Sequence, residues 1–404
     1  MRIRSITYFF DPAQTSQFDP LINICEHRDS LKATLKIKGY EIQSVRLATT
    51  PFPTWLNLQD STKALQQIKD LCDQAHSAGF DYLSLGPFHT ADCDAVNLIP
   101  AILSISKDLF VTMRLDDVKG NISIPDIRAC AEVIKRVAEV EPDGFANLRF
   151  AALANVKPFT PFFPAAYGAS GELAFSIAME CADMATEIFQ KTRNIDSGCQ
   201  ELQTVFFEHA NRIEEGTAHI SPSIPFKGFD FSLAPYPEDW CSFGKALESL
   251  GVAQIGSAGS IAASAILAGA LDGGTWKKAG FNGLMMPILE DSILAERSSA
   301  GVLSIYDVLQ YSSVCGTGLD TVPLPGDIET EKLEALLLDV AALALRLNKP
   351  LTARLMPIPN KKAGDKTDFD FSYFAKGSVL DYPFSGIQPP LTVGETIKIR
   401  PRFR

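Results

Sequence analysis

Short apolar runs of strand length alternate with stretches of helical periodicity along most of this chain. A first set of five such runs lies in its amino-terminal part: Ile3–Phe9, Glu41–Ala48, Tyr82–Pro87, Leu109–Leu115 and Phe145–Leu153. Helical patterns separate them, so the hydrophobic period switches repeatedly between about 2 and about 3.6 residues. This alternation predicts β/α units whose strands run parallel in one sheet.

A second set of five runs begins near residue 226. Its members are Phe229–Leu233, Val252–Gly256, Gly283–Ile288, Leu319–Leu324 and Leu351–Ile358. Two helical patterns without a strand between them, Glu172–Thr192 and Ser197–Gly216, separate the two sets. Asp196 or Ser197 could cap the second helix, so the pattern predicts an inserted αα-hairpin.

The two sets organise the chain as one α/β domain over residues 1–404. It comprises a first half (1–155), a helical hairpin insert (172–218), a second half (226–358) and a carboxyl-terminal extension (359–404). Parallel sheets of this kind are covered by helices, and ten strands are enough to close a barrel. We therefore expect a ten-stranded α/β barrel of two five-stranded parallel halves. A doubly wound open sheet and two separate domains are the alternatives.

Composition excludes several classes of partner. A net charge of −11 over 404 residues argues against nucleic-acid binding, which requires a basic surface. The chain lacks any uncharged apolar stretch of about 18 residues, and its eight cysteines form no C-x-x-C pair. We expect a cytoplasmic protein with reduced thiols and no membrane partner. The sequence leaves open whether it forms a homo-oligomer.

Four short blocks carry a family resemblance. They are SLAP at Ser232–Pro235, G-x-x-G at Gly256–Gly259, the pair Glu290–Asp291, and C-x-x-G-L-D at Cys315–Asp320. In order and spacing they resemble the domain-of-unknown-function family number 711. That resemblance implies a barrel like that of pyruvate formate-lyase-like enzymes, with two antiparallel five-stranded halves, and an activity that is not established.

A glycyl-radical mechanism is not expected despite this resemblance in fold. Glycyl-radical enzymes carry a glycine in an R-V-x-G-Y-type motif near the carboxyl terminus. Here the carboxyl-terminal glycines are Gly377, Gly386 and Gly394, in AKGSV, FSGIQ and TVGET. None has that setting, so the sequence predicts no radical chemistry and implies no redox cofactor.

The stretch VAQIGSAGSIAAS predicts a strand, a tight glycine turn and the start of a helix. Glycines let backbone N–H groups approach a ligand, and a helix N-terminus favours an anion. Gly256, Ser257, Gly259 and Ser260, together with Ser232 of the SLAP block, are therefore candidate ligand-binding residues. The alternative is an ordinary serine N-cap after a tight turn.

Glu290 and Asp291 follow a predicted strand and open a predicted helix. One carboxylate can cap the helix while the other points into a site as general acid or base. Both are candidate catalytic residues. The alternative is that the pair serves the helix N-terminus alone.

Secondary candidates lie elsewhere. Cys315 could be a nucleophile, but a helix C-terminus disfavours its thiolate, so a packed small residue is the alternative. Asp320 begins the next strand, while His89, Arg114 and Asp116 follow strands of the first half. A metal held by His89 and Asp116 is conceivable. No ligand spacing is recognisable, however, so we predict no stoichiometric metal and leave a solvated loop as the alternative.

The topology of the expected barrel groups these candidates at its two open ends, which we call its mouths. If the halves run antiparallel, Ser232, Gly256 and the Glu290–Asp291 pair cluster near Arg4. His89, Arg114, Asp116, Cys315 and Asp320 would then lie at the opposite mouth. The first mouth predicts an enzyme acting on a small anionic metabolite by acid–base chemistry. The alternatives are a non-catalytic small-molecule binding or regulatory protein, and a metal-dependent enzyme centred on His89 and Asp116.

Overall fold

A nine-stranded mixed sheet forms the centre of the protein. The computed structural model describes residues 1–14, 20–90, 93–218, 220, 222–314 and 316–402. These residues form eleven strands: β1 Arg2–Phe10, β2 Val45–Thr49, β3 Tyr82–Phe88, β4 Leu109–Arg114, β5 Ile122–Ser123, β6 Phe150–Ala154, β7 Ala174–Glu180, β8 Phe226–Ala234, β9 Gly318–Pro325, β10 Leu351–Ile358 and β11 Thr396–Ile397.

The five strands of the first predicted set are confirmed as parallel neighbours. They follow the order β1-β2-β3-β4-β6. The parallel pair β7–β8 runs antiparallel beside β1, and the parallel pair β10–β9 runs antiparallel beside β6. The full order is therefore β8-β7-β1-β2-β3-β4-β6-β10-β9, while β5 and β11 form a small separate sheet.

Eleven α-helices in the described residues pack with the strands into one large apolar core. They are α1 Pro20–Ile37, α2 Ser61–Ser77, α3 Cys93–Leu103, α4 Ile124–Ala138, α5 Ala182–Lys191, α6 Ile195–Thr217, α7 Phe243–Ser249, α8 Ser260–Asp272, α9 Ser292–Ser299, α10 Ile305–Tyr311 and α11 Thr330–Leu347. None of these described helices combines the length and the apolar character that crossing a bilayer requires.

The segment expected to begin a helical hairpin begins instead with a strand. Ala174–Glu180 is fully buried as β7, and only then do α5 and α6 follow. A short apolar run that is buried on both faces has the same composition as a buried helix, which explains the error. The cap of α6 is Asn194, whose side chain accepts a hydrogen bond from the backbone N–H of Ser197, rather than Asp196 or Ser197 itself.

Two members of the second predicted set are not regular strands. Val252–Gly256 belongs to a loop bounded by left-handed glycines at 251 and 256. Residues 277–288 touch both edge strands through isolated bridges, Lys278 with Phe229 of β8 and Pro287 with Asp320 of β9. In the described residues no continuous ladder joins β8 to β9, so the structure has a nine-stranded sheet in place of the ten strands expected, and this segment lies between its two edge strands.

The segment 155–171 lies across one face of the sheet. Hydroxyl groups from three strands donate to its carbonyl oxygens: Thr7 to Pro161 at 3.2 Å, Ser84 to Ala166 at 2.8 Å and Ser176 to Phe159 at 2.8 Å. Buried hydroxyl groups need such partners. The polar residues within these apolar strands therefore fasten the segment against the sheet.

We predict that Gly318→Ala destabilises the protein much more than Gly364→Ala. Both glycines have positive φ, at +96° and +88°, so alanine is strained at each by about 1–2 kcal/mol. A Cβ at residue 318 would also lie 2.0 Å from the carbonyl oxygen of Thr352 in β10, whereas position 364 is open. Urea unfolding should show at least twice the loss of unfolding free energy for Gly318→Ala. Equal losses would contradict the close packing of β9 on β10.

Candidate functional site

A cavity of about 210 Å³ lies beside the 155–171 segment. Its walls come from strands β1, β2, β3, β4, β7, β8 and β10, from that segment and from the carboxyl-terminal region. Three arginines on three strands line it: Arg4 of β1, Arg46 of β2 and Arg354 of β10. Glu290, which precedes α9, lines it as well. The cavity thus gathers three cationic side chains together with carboxylates and apolar groups.

Glu290 connects two of these arginines. Its Oε2 atom lies 2.5 Å from Nη2 of Arg4, and its Oε1 atom lies 2.7 Å from Nη2 of Arg354. Burial by itself would raise the pKa of Glu290, but the charges of Arg354 and Arg4 outweigh it and hold the pKa below its ordinary value. Glu290 is therefore a carboxylate at neutral pH.

Asp320 extends this cluster. Nε of Arg354 donates to its Oδ1 atom at 2.6 Å, while Oδ2 is buried without a hydrogen-bond partner among the described residues. Burial raises the pKa of Asp320 although Arg354 opposes this. The expectation that Asp320 lies at the mouth opposite Glu290 is wrong, because Arg354 binds both carboxylates.

Arg46 differs from the other two arginines. No carboxylate of the described residues lies within ion-pair distance of its guanidinium group; its Nε atom donates to Oγ of Ser44 at 2.9 Å. Its Cζ atom lies 5.1 Å from the ring centre of Phe163 and 5.5 Å from that of Tyr82. Burial and then repulsion from Arg4 lower the pKa of Arg46 to about 10. It is a charged group at neutral pH, and among the described residues Glu290 and Asp81 attract it only from beyond ion-pair distance.

Asp291 does not line the cavity. It is the N-cap of α9, and its Oδ1 atom accepts from the first amides of that helix and from Oγ of Ser242. Its Oδ2 atom accepts from the backbone N–H groups of Phe243 and Gly244 at the start of α7. Both oxygens are thus used in capping two helices, so this geometry gives the acid–base candidacy to Glu290 rather than Asp291.

The glycine turn lies apart from this cavity. Gly256 donates its backbone N–H to Oγ of Ser260, and a Cβ there would lie 2.2 Å from the carbonyl oxygen of Val302. Neither these residues nor Ser257 and Gly259 line the cavity with Glu290. The expected shared pocket depended on a strand at 252–256, and without that strand the turn is not carried to the mouth of the sheet.

Ser232 does line the cavity, together with Asp230. Asp230 accepts hydrogen bonds from Oγ of Ser232 at 2.5 Å and from the backbone N–H groups of Phe281 at 2.9 Å and Asn282 at 3.1 Å. Burial raises the pKa of Asp230, against these hydrogen bonds. The pair therefore fastens residues 281–283 to β8 while forming one wall.

The first-half candidates have separate partners. Nδ1 of His89 lies 3.5 Å from Oδ2 of Asp126, whereas Asp116 pairs with Nη2 of Arg114 at 2.8 Å. The part of the chain that the structure describes contains no group of three or more His, Cys, Asp or Glu residues that could hold a metal ion. Cys315 lies outside the described residues.

Arg46 and Arg354 were not selected from the sequence, although a signal is present. Each is the single charged residue of its strand, in VRLAT and LTARLMPI, and neighbouring positions are buried. A cation in such a strand needs either a carboxylate or a ligand, because burying an unpaired charge is costly. Arg354 has carboxylate partners, whereas Arg46 has space beside it for a ligand.

This fold and cavity define a mixed α/β protein with a buried arginine–carboxylate cluster. The model of the family described as "Uncharacterised ACR (DUF711)" matches residues 1–373, and the chain belongs to this family. The UPF0210 protein of Pyrobaculum islandicum is 28% identical over 379 residues, which cover 87% of this chain and 83% of that protein. The UPF0210 protein of Clostridium beijerinckii is 26% identical over 381 residues, covering 89% and 84%.

We predict that Glu290→Ala lowers the free energy of unfolding by about 3–5 kcal/mol, because it leaves two buried arginines without their shared carboxylate. Glu290 is 5% exposed, whereas Glu187 makes an exposed pair with Lys191 on α5. Glu187→Ala is therefore the control and should leave the urea midpoint almost unchanged.

Glu290→Ala should also change how the free energy of unfolding depends on pH in the acid range. Since the pKa of Glu290 is lower in the folded protein, its stabilising effect is present above about its ordinary value of 4.5 and is lost as the pH falls through the folded value. Glu290→Ala should flatten this part of the curve. Parallel acid curves for variant and parent would contradict the ion pairs.

Proposed function

We propose that this protein binds a small anionic metabolite in the arginine-lined cavity and acts on it by acid–base chemistry through Glu290. The observation that carries the proposal is Arg46, a cation in the cavity wall for which no carboxylate of the described chain lies within ion-pair distance. Its Nε atom is committed to Ser44, which leaves the two Nη atoms to donate to a carboxylate or phosphate.

The neighbouring charges support this assignment of the ligand's anionic group. Arg4 and Arg354 are already paired with Glu290, and Arg354 also with Asp320. An anion at Arg46 therefore gains an attractive partner without breaking an existing pair. Partial burial strengthens that attraction, because screening by water is reduced.

The chemical step requires Glu290 to accept a proton from the bound anion. We propose that a C–H bond next to the ligand's carboxylate breaks, the proton passes to Glu290, and the electron pair remains on the ligand. The surrounding arginines would stabilise that negative charge. The ligand's own charge would raise the pKa of Glu290 and make it a stronger base than in the empty cavity.

A non-catalytic binding or regulatory protein is the second candidate. The specific observation in its favour is the lowered pKa of Glu290, since a weakly basic carboxylate held by two arginines is suited to positioning them. Both candidates share the cavity and the anion, and only proton transfer separates them.

We also infer that the curved sheet is a barrel of the pyruvate formate-lyase type, closed through residues 277–288. The isolated bridges from that segment to β8 and β9 support this, as does its place between the two edge strands. Neither a redox cofactor nor a glycyl radical enters the proposed chemistry.

Arg46→Gln should weaken binding of small anions about tenfold to a hundredfold, which is the range for a hydrogen bond to a charged group. A thermal-shift screen of carboxylate and phosphate metabolites identifies ligands, and calorimetry then measures Kd. Arg136→Gln on α4, outside the cavity, is the matched control. Unchanged binding in Arg46→Gln would refute the cavity assignment.

Glu290→Gln should retain binding while slowing proton transfer at least about a hundredfold. Deuterium incorporation from D₂O into each bound acid, followed by NMR, detects the step without knowledge of the product. Near-ultraviolet circular dichroism checks that the variant is folded. Exchange at the parental rate in Glu290→Gln would refute the role of Glu290 as the base. Absence of exchange and turnover in the parent with every bound acid would favour the binding protein.

A further inference from the structure

Aromatic rings surround the unpaired arginine. The rings of Tyr82 and Phe110 meet edge to face with centres 5.4 Å apart, and those of Phe110 and Phe163 do so at 5.2 Å. Arg46 lies over both Tyr82 and Phe163. Cation–π contacts with both rings and the hydrogen bond from Nε to Ser44 thus hold the guanidinium group, and its two Nη atoms are left for a ligand.

Other aromatic side chains line the cavity farther from Arg46. Phe162 lies under Arg354, with 5.8 Å between the Cζ atom and the ring centre. Phe371 and Tyr373, from the carboxyl-terminal extension, also line the cavity, and their ring centres are 5.2 Å apart. A ligand whose anionic group reaches Arg46 therefore has aromatic surfaces available for the rest of its body.

The cavity has room for one anionic group only. Glu290, Asp230 and Asp81 line the same space, so a second anion on the ligand would face a carboxylate or would have to displace Glu290 from Arg4 or Arg354. The volume of about 210 Å³ is below the ~300–1,000 Å³ that holds drug-sized ligands. It is suited to a single ring with a short acidic chain.

We infer that the ligand is an aromatic monocarboxylate, with its carboxylate on the two Nη atoms of Arg46 and its ring against Phe110 and the facing aromatic walls. This assignment deepens the proposed function and rests on it, because both require an anion at Arg46. It adds that the ring and the single negative charge determine selectivity.

The test uses calorimetry on the whole protein with four probes: phenylacetate, acetate, glutarate and inorganic phosphate. Phenylacetate should bind at least about tenfold more tightly than acetate, which carries the charge without the ring, and than glutarate, which carries two charges. Arg46→Gln should weaken the binding of phenylacetate to a similar extent as that of acetate.

Phe110→Leu separates the ring from the charge. The substitution should weaken the binding of phenylacetate about twofold to tenfold and leave the binding of acetate unchanged. Phe207→Leu, at a phenylalanine of α6 that is 42% exposed, is the matched control and should change neither. If Phe110→Leu leaves the Kd of phenylacetate unchanged, the placement of the ligand's ring against Phe110 is wrong.

The two proposals fail in different ways. If glutarate or phosphate binds more tightly than phenylacetate and depends on Arg46, the aromatic class is wrong while the anion site stands. If none of the four probes shows binding that depends on Arg46, both the ligand class and the anion site are overturned.

Discussion

The ion pairs of Glu290 with Arg4 and Arg354 impose the curvature of the sheet. Arg4 lies on β1 and Arg354 on β10, which are separated in the sheet by β2, β3, β4 and β6. At about 4.8 Å per strand, five spacings span roughly 24 Å in a flat sheet. One carboxylate could not reach both guanidinium groups across that distance. The sheet must therefore curl around the cavity, so that strands distant in the ladder face each other.

These pairs also determine which charge is left for a ligand. Arg4 and Arg354 pair with Glu290 and Asp320, whereas Arg46 forms no ion pair with any residue that the structure describes. Buried ion pairs add little stability compared with apolar packing, so stability alone does not account for three arginines facing one space. The anionic ligand that we propose at Arg46 would account for them, since the paired arginines would position Glu290 beside the ligand and Arg46 would bind it.

The sequence predicted the elements whose signals are local. The five parallel strands of the first half follow from alternating periods, and the division of Glu290 and Asp291 between cavity and helix cap follows from their place before α9. Where burial on both faces removes the periodicity, as in β7, strand and helix could not be told apart. The role of Arg354 could not be predicted either, because its partners are fixed by how the sheet curls.

The cavity depends on the assembly of the whole chain. Arg4 and Arg46 come from the first half, whereas Glu290 and Arg354 come from the second, and the Arg4–Glu290 pair joins residues 286 positions apart. Either half alone would bury charges without partners, which is costly. The ion pairs therefore favour only the arrangement in which both halves face each other across the cavity. The same contacts that line the cavity thus favour the complete sheet over partly assembled forms.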